Sequence, residues 1–434
     1  MLKKDSGIGF DLPLILAVVT VVLIGCLLIY SAGFDPLTKL NNGLYRKQIL
    51  WLVIGIILFI LISMINYQFL GDYALHVYIA LLVILILTTF LGKPIRNTRA
   101  WIDFGAFSIQ PSEFMKLSVV IVLAKLLELR ERDIKNFREL LIPAVIVFVP
   151  VLIILKQPDF GTASIFIPIL FALLFVGGAD ISHLVSIISI AIISVIIPII
   201  LTYQFRDMKN PPELEMVLGI ILIAAIVLVI VAAAAYGLHL VSVRKIFRRL
   251  YIPSAVVSLS LFASYFIQNN LKTYQKERIL VFLNPERDAL GFGYNVIQSK
   301  IAVGSGGFFG KGFLKGTQTQ LGFLPEKTSD FIFAVMAEEW GFIGAIFLLF
   351  LLGFIIFRGL QIAIESKDRF GSLLASGITA MFFSHILVNI GMVMGIIPVT
   401  GLPLTFISYG GSNLLMAFLC IGILNNISMN KFVN

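Results

Sequence analysis

Charge is scarce in this chain. Lys, Arg, Asp and Glu make up 13% of its 434 residues, about half the share found in soluble domains, and that deficit excludes a water-soluble globular protein. Cysteine is nearly absent. Cys26 and Cys420 both fall within apolar runs, so no disulfide scaffold is available and the two are expected to pack as small hydrophobes. No zinc-ligand spacing, catalytic triad or P-loop occurs. The Gly291-Phe292-Gly293 step is a weak phosphate signal, because it neither follows a strand nor opens a Rossmann helix. Heptads and repeats of about 20–50 residues are missing too, and a single domain is expected over 1–434.

What fills the chain instead is apolar. Hydrophobic residues make up 59% and the mean hydropathy is +1.00. Runs long enough to cross a hydrocarbon core of about 30 Å recur at 11–32, 48–66, 73–91, 112–127, 140–155, 161–179, 184–203, 214–237, 252–268, 330–357, 371–397 and 404–428. The fold expected is an all-α polytopic membrane protein of about twelve transmembrane helices with one large extracytoplasmic loop. The first run follows only Met1-Leu2-Lys3-Lys4-Asp5 and lacks a small-residue cleavage site, which reads as a retained span. Placing the N-terminus in the cytoplasm puts fifteen Lys or Arg on the inner side against nine in the short outer loops. That bias places both termini inside and gives the net charge of +9 a topological origin; no nucleic-acid partner is expected. The inner charge runs Glu128 to Lys135 and Arg244 to Arg249 read as faces for solvent or lipid headgroups.

Polar residues then collect on the outer face. The longest polar segment, 271–329, carries nine glycines, eight basic residues and four acids; loops of this length usually carry function, and this balance attracts an anionic substrate. Gly92 to Gln110, Lys156 to Thr162 and Pro398 to Gly411 join it on that side. Glu113 and Lys116, three residues apart on the fourth run, share a helical face; they either neutralise each other or stand beside a bound phosphate. Asp159, in a Pro-Asp-x-Gly turn, either bonds its own backbone or serves a site. Asp288, next to Asn284-Pro285 and a Gly-x-Gly-Tyr, is either a turn former or a carboxylate aimed at a hydroxyl. Glu338 and Glu339 must find polar partners or a wet cavity. His385 and Asn389, at i and i+4, fit interhelical hydrogen bonding.

Several of these residues sit in blocks that resemble a known family. The run Asn389-x5-Gly395-Ile396-x-Pro398-Val399-x-Gly401-Leu402-x3-Phe406-Ile407-Ser408-Tyr409-Gly410-Gly411-Ser412 is similar to the signature of the SEDS family (shape, elongation, division and sporulation proteins), with Asn413 where Ser or Ala is usual. Ile109 to Leu117, Gln157 to Thr162 and Asn284 to Asp288 resemble further family blocks, and Gly316 to Glu326 resembles the elongation branch more than the division branch. The Asp-Pro step common in the large loop is Asp288-Ala289 here. The resemblance also implies about ten spans, so the runs within 204–268 read as an inserted hairpin region that preserves the parity of the loop.

The resemblance implies a peptidoglycan glycosyltransferase of the bacterial cytoplasmic membrane that polymerises lipid II into nascent glycan, beside a class B penicillin-binding protein and other elongation-complex membrane proteins. Asp288 would then be the catalytic general base. Arg99, Trp101, Glu113, Lys116, Asp159 and Lys311 would serve the substrate, with Lys116, Arg99 or a divalent cation (Mg2+ or Mn2+) stabilising the departing pyrophosphate. No cofactor is required by any motif. The alternatives are a lipid II flippase, which many spans and intramembrane charges fit equally well, and a non-catalytic scaffold.

Overall fold

The computed structural model describes residues 9–95, 98–105, 107–130, 137–205, 281–282, 285–288 and 291–430, with isolated positions between 219 and 261. The chain divides into two compact units. One comprises Met1–Ala179 with Asn284–Asn434, the other Asp180–Leu283.

In the larger unit the apolar runs become helices α1 (Leu12–Gly33), α2 (Leu44–Met64), α4 (Ala74–Leu91), α5 (Pro111–Leu129), α6 (Leu141–Lys156) and α7 (Phe160–Val176), with α3 (Gln68–Asp72) a short turn before α4. In the other unit α8 (Ile181–Phe205) is the seventh run. The larger unit resumes with α9 (Phe292–Ser305), α10 (Thr317–Gln320), α11 (Ile332–Glu365), α12 (Arg369–Val393) and α13 (Gly411–Asn430). Ten of the twelve expected spans thus stand as helices. The expected spans 214–237 and 252–268 fall almost wholly outside the described residues. These helices are apolar around most of their circumference, as lipid-embedded segments must be, and α5 is the central one: nearly all of Pro111 to Ala124 is buried. α5 is packed by α4, α7, α12 and α13.

The polar segment 92–110 is not simply a loop. Strands β3 (Lys93–Ile95), β4 (Thr98–Asp103) and β5 (Ser108–Ile109) form an antiparallel meander, with Lys93 opposite Trp101 and Ile102 opposite Ile109. A smaller hairpin pairs β1 (Phe34–Asp35) with β2 (Leu40–Asn41) between α1 and α2.

Two features fix the frame. Asp11 caps α1 by accepting from the Leu14 amide at 3.2 Å, and the same side chain meets Arg358 of α11 at 2.5 Å; its own amide donates to Asn425 of α13 at 2.9 Å. Three helices are joined at one buried aspartate. The second feature is a break in α11 at Gly341, whose φ of 65° and ψ of −161° interrupt the helix. The carbonyls and amides freed there are taken up by the glycine-rich loop: the Lys311 amide donates to Glu338 O at 3.0 Å, the Gly312 amide to Glu339 O at 2.9 Å, and the Phe342 amide to Gly307 O at 2.9 Å. A buried backbone group without a partner would be costly, so loop and helix complete each other.

Candidate functional site

The start of α5 gathers the polar groups. Pro111 occupies the first helical turn, where its missing amide costs nothing, and Gln110 precedes it in an extended conformation. The Gln110 amide donates to Ser412 Oγ at 2.9 Å, and its side-chain Nε2 donates to Asp159 Oδ2 at 2.7 Å. Asp159 in turn caps α7, accepting from the Thr162 amide at 3.0 Å and the Thr162 hydroxyl at 2.8 Å. Through one glutamine, therefore, the amino-terminal ends of α5, α7 and α13 are held together. Their dipoles all direct positive ends to this spot. Burial pushes the Asp159 carboxyl above its ordinary value, and the two Thr162 donors pull it back only in part.

One turn deeper lies a closed network. Lys116 Nζ donates to Glu113 Oε1 at 2.9 Å and to His385 Nε2 at 2.7 Å, while Asn413 Nδ2 donates to Glu113 Oε2 at 2.8 Å. An ammonium donor requires His385 Nε2 to be the acceptor, so Nδ1 carries the proton, facing Pro403 O at 3.4 Å. Lys116 and His385 both have 0% exposure. A buried ion pair survives only when the remaining lone pairs are satisfied, and here both carboxylate oxygens are. His385 bonds the facing helix α5 through Lys116, as interhelical bonding requires, whereas Asn389 does not bond a helix: its Nδ2 donates to the carbonyls of Asp330 at 2.9 Å and Leu402 at 2.7 Å, clamping the segments beside α11 and before α13.

Lys311 and the Glu338-Glu339 pair form another cluster. Lys311 Nζ donates to Glu338 Oε1 at 2.9 Å and to the hydroxyls of Ser305 and Thr317, each at 2.7 Å. Glu338 also accepts from the amides of Gln318 at 2.8 Å and Thr319 at 3.0 Å. Glu339 accepts from the Ser31 hydroxyl of α1. The expected polar partners of the two glutamates are thus the loop itself and the first helix.

The sequence-predicted residues separate into groups. Glu113, Lys116 and Asp159 come together at the start of α5, whereas Lys311 lies in the glycine-loop cluster. Arg99 and Trp101 stand on β4, Arg99 exposed and Trp101 half-buried. The Asp288 backbone closes a 3-10 turn, Pro285–Asp288, packed against α9; its side chain lies outside the described residues. Sequence reasoning missed Gln110 and Asn413 as partners. Gln110 stood inside a quoted block two residues before Ser112-Glu113, but its long-range partners left no local signal. Among the described residues no three His, Cys, Asp or Glu side chains converge as metal ligands.

Long apolar helices around one buried, charge-bearing helix define a polytopic membrane protein whose polar groups collect at the starts of three helices. The chain belongs to the FtsW/RodA/SpoVE family, whose family model, described as a cell cycle protein, matches residues 12–211 and 212–432. It is 35% identical over 429 residues to peptidoglycan glycosyltransferase RodA of Treponema pallidum, covering 97% of this chain and 98% of that one. It is 30% identical over 426 residues to peptidoglycan glycosyltransferase MrdB of Escherichia coli, covering 98% and 95%. A solved peptidoglycan synthase complex, studied for its coordination of polymerization and crosslinking, contains a chain that superposes with a TM-score of 0.68 at 27% identity over 98% of this chain and 99% of that one. The rod shape determining protein RodA of Thermus thermophilus, at 24% identity, shares the fold with a TM-score of 0.61 over 98% and 99% of the two chains.

Proposed function

We propose that this chain is a peptidoglycan glycosyltransferase that polymerises lipid II during cell elongation. The observation that carries the reading is full-length likeness to relatives bearing that activity in their names, 35% and 30% identical over nearly the whole chain. It works in the bacterial cytoplasmic membrane with both termini in the cytoplasm and the starts of α5, α7 and α13 on the outer side. Its partner is a class B penicillin-binding protein, a proposal supported by the likeness to a complex that couples polymerization with crosslinking.

In the mechanism, the C4 hydroxyl of the acceptor GlcNAc attacks C1 of the donor MurNAc with inversion. The new bond joins O4 to C1, the bond from C1 to the pyrophosphate oxygen breaks, and the hydroxyl proton passes to Asp288. General-base assistance of this kind supplies about 10² to 10⁴ in rate, or about 3 to 5 kcal/mol. Undecaprenyl pyrophosphate leaves as an anion. Three converging helix starts favour negative charge there, and the exposed guanidinium of Arg99 is suited to direct bidentate contact. Lys116, buried and bonded to Glu113 and His385, acts instead by holding the start of α5 and by its field. No step is routed through a divalent cation.

The test is incubation of the purified protein with lipid II, with glycan polymer resolved on a gel. Polymer that appears with the native chain and vanishes with Asp288→Asn supports the reading. Absence of polymer from a well-folded preparation, alone and with its transpeptidase, overturns it in favour of the flippase or the scaffold.

A further inference from the structure

The large loop is polar by composition, yet one part of it is built to face lipid. Between Gly306 and Gly312 the chain turns back through Gly307, Gly310 and Gly312, all at positive φ, and presents Phe308 and Phe309 at 58% and 79% exposure. Two large aromatic groups so exposed on a water-facing loop would be an aggregation hazard. Their position explains them. Phe308 stacks on Phe342, with ring centroids 5.8 Å apart and planes 24° from parallel, and meets Phe309 edge-on at 5.1 Å.

Phe342 is where α11 begins to face outward. From Ile332 to Glu339 every residue is buried in protein; beyond the break at Gly341, Phe342, Ile343, Ile346, Phe347 and Phe350 are all exposed. The segment from Gly341 to Glu365 rises about 1.5 Å per residue, enough to cross a core of about 30 Å without the first two turns. Gly341 therefore marks the rim of the bilayer on the side of the large loop. The backbone bonds of Gly307, Lys311 and Gly312 to residues 338–342 fix the turn at that height and leave it no freedom to lift away.

We infer that the Phe308-Phe309 turn is inserted among the acyl chains at the outermost layer of that leaflet, anchoring the glycine-rich loop to the membrane surface. The apolar face it presents is continuous with the lipid-facing side of α11, and it extends towards the adjoining aromatic pair Phe313 and Tyr30, stacked at 6.4 Å. Aromatic side chains favour this interfacial layer. On the opposite side of the turn, Lys311 is held inward on Glu338, so charge faces protein and rings face lipid. The inference needs only the membrane-spanning reading of α11 and is independent of the reaction proposed above.

The experiment uses the full chain with Cys26 and Cys420 replaced by Ala and a single cysteine at Phe309, labelled with bimane in bilayer nanodiscs. Lys315→Cys, exposed on the same loop, is the aqueous reference, and Phe350→Cys is the reference for deep lipid. Lipids brominated near the top of the acyl chain should quench the label at 309 at least about threefold more than the label at 315, with iodide showing the reverse order. Iodide quenching at 309 equal to that at 315 would overturn the inference. So would protection from both quenchers, which would mean that protein covers the turn. Since Phe309 is mostly exposed, its replacement removes little packing, and size-exclusion of each labelled protein verifies its fold.

Discussion

Asn413 donates to Glu113 across 300 positions of sequence, Nδ2 to Oε2 at 2.8 Å, and so joins the first turn of the last helix to the first turn of α5. The bond satisfies the carboxylate oxygen that Lys116 does not reach. Asn413→Ala should leave that oxygen buried and unpaired, at about 1–3 kcal/mol. The expected outcome is a lower unfolding midpoint in detergent, with Asn413→Asp worse still because it sets two carboxylates together. An unchanged midpoint for Asn413→Ala would show that water replaces the amide.

Lys116 and Glu113 should behave as a coupled pair. Removing one partner of a buried ion pair costs about 3–5 kcal/mol, so Lys116→Met alone should destabilise strongly, and Glu113→Gln added to it should recover part of the loss. Lys125→Met is the comparison: Lys125 pairs with Glu128 with about a third of its side chain exposed and should be far milder. Additive effects in the double variant would count against coupling.

Asp288→Asn keeps the size of the side chain and removes the proposed base. Glycan synthesis from lipid II by the purified protein should fall at least about a hundredfold, with yield from the membrane unchanged. Glu286→Gln, on the same turn, should remain active. Near-normal polymer from the Asp288 variant would take Asp288 out of the catalytic role.

Gly341→Ala tests the broken helix. A Cβ at Gly341 would strike the Gly310 amide and come within 2.8 Å of Phe308 O, and the positive φ is itself unfavourable for alanine. The variant should lose several degrees of thermal stability. Gly353→Ala, where a Cβ meets nothing, should be neutral or slightly stabilising. Equal behaviour of the two would mean that the loop moves aside freely.

The membrane architecture was readable because lipid demands about twenty apolar residues per crossing, and ten of the expected runs became helices with shifted ends: 404–428 became Gly411–Asn430, since Pro398 to Gly410 is a non-helical segment held by Asn389 on Leu402 O and by Ser408 on the Leu404 amide and Ser329 O. The Glu113 and Lys116 contact was readable because helical periodicity brings i and i+3 together. His385 and Asn413 as its other partners were not, since contacts 269 and 300 residues apart depend on how three helices pack. The meander at 93–109 escaped notice because its strands are short and do not alternate cleanly between apolar and polar. Nor was the break at Gly341 legible: a glycine inside a helical run carries no signal of a kink by itself, and the cause is a loop about thirty residues upstream.

The cap on the first helix has a consequence for biosynthesis. Asp11 enters the membrane edge as soon as α1 is made, but its partner Asn425 lies 414 residues later. At about 5–20 residues per second, the ribosome needs on the order of tens of seconds to reach it. The Asp11 carboxylate meets Arg358 first, 347 residues on, and its amide waits longer still, so only the emergence of the final helix completes this junction.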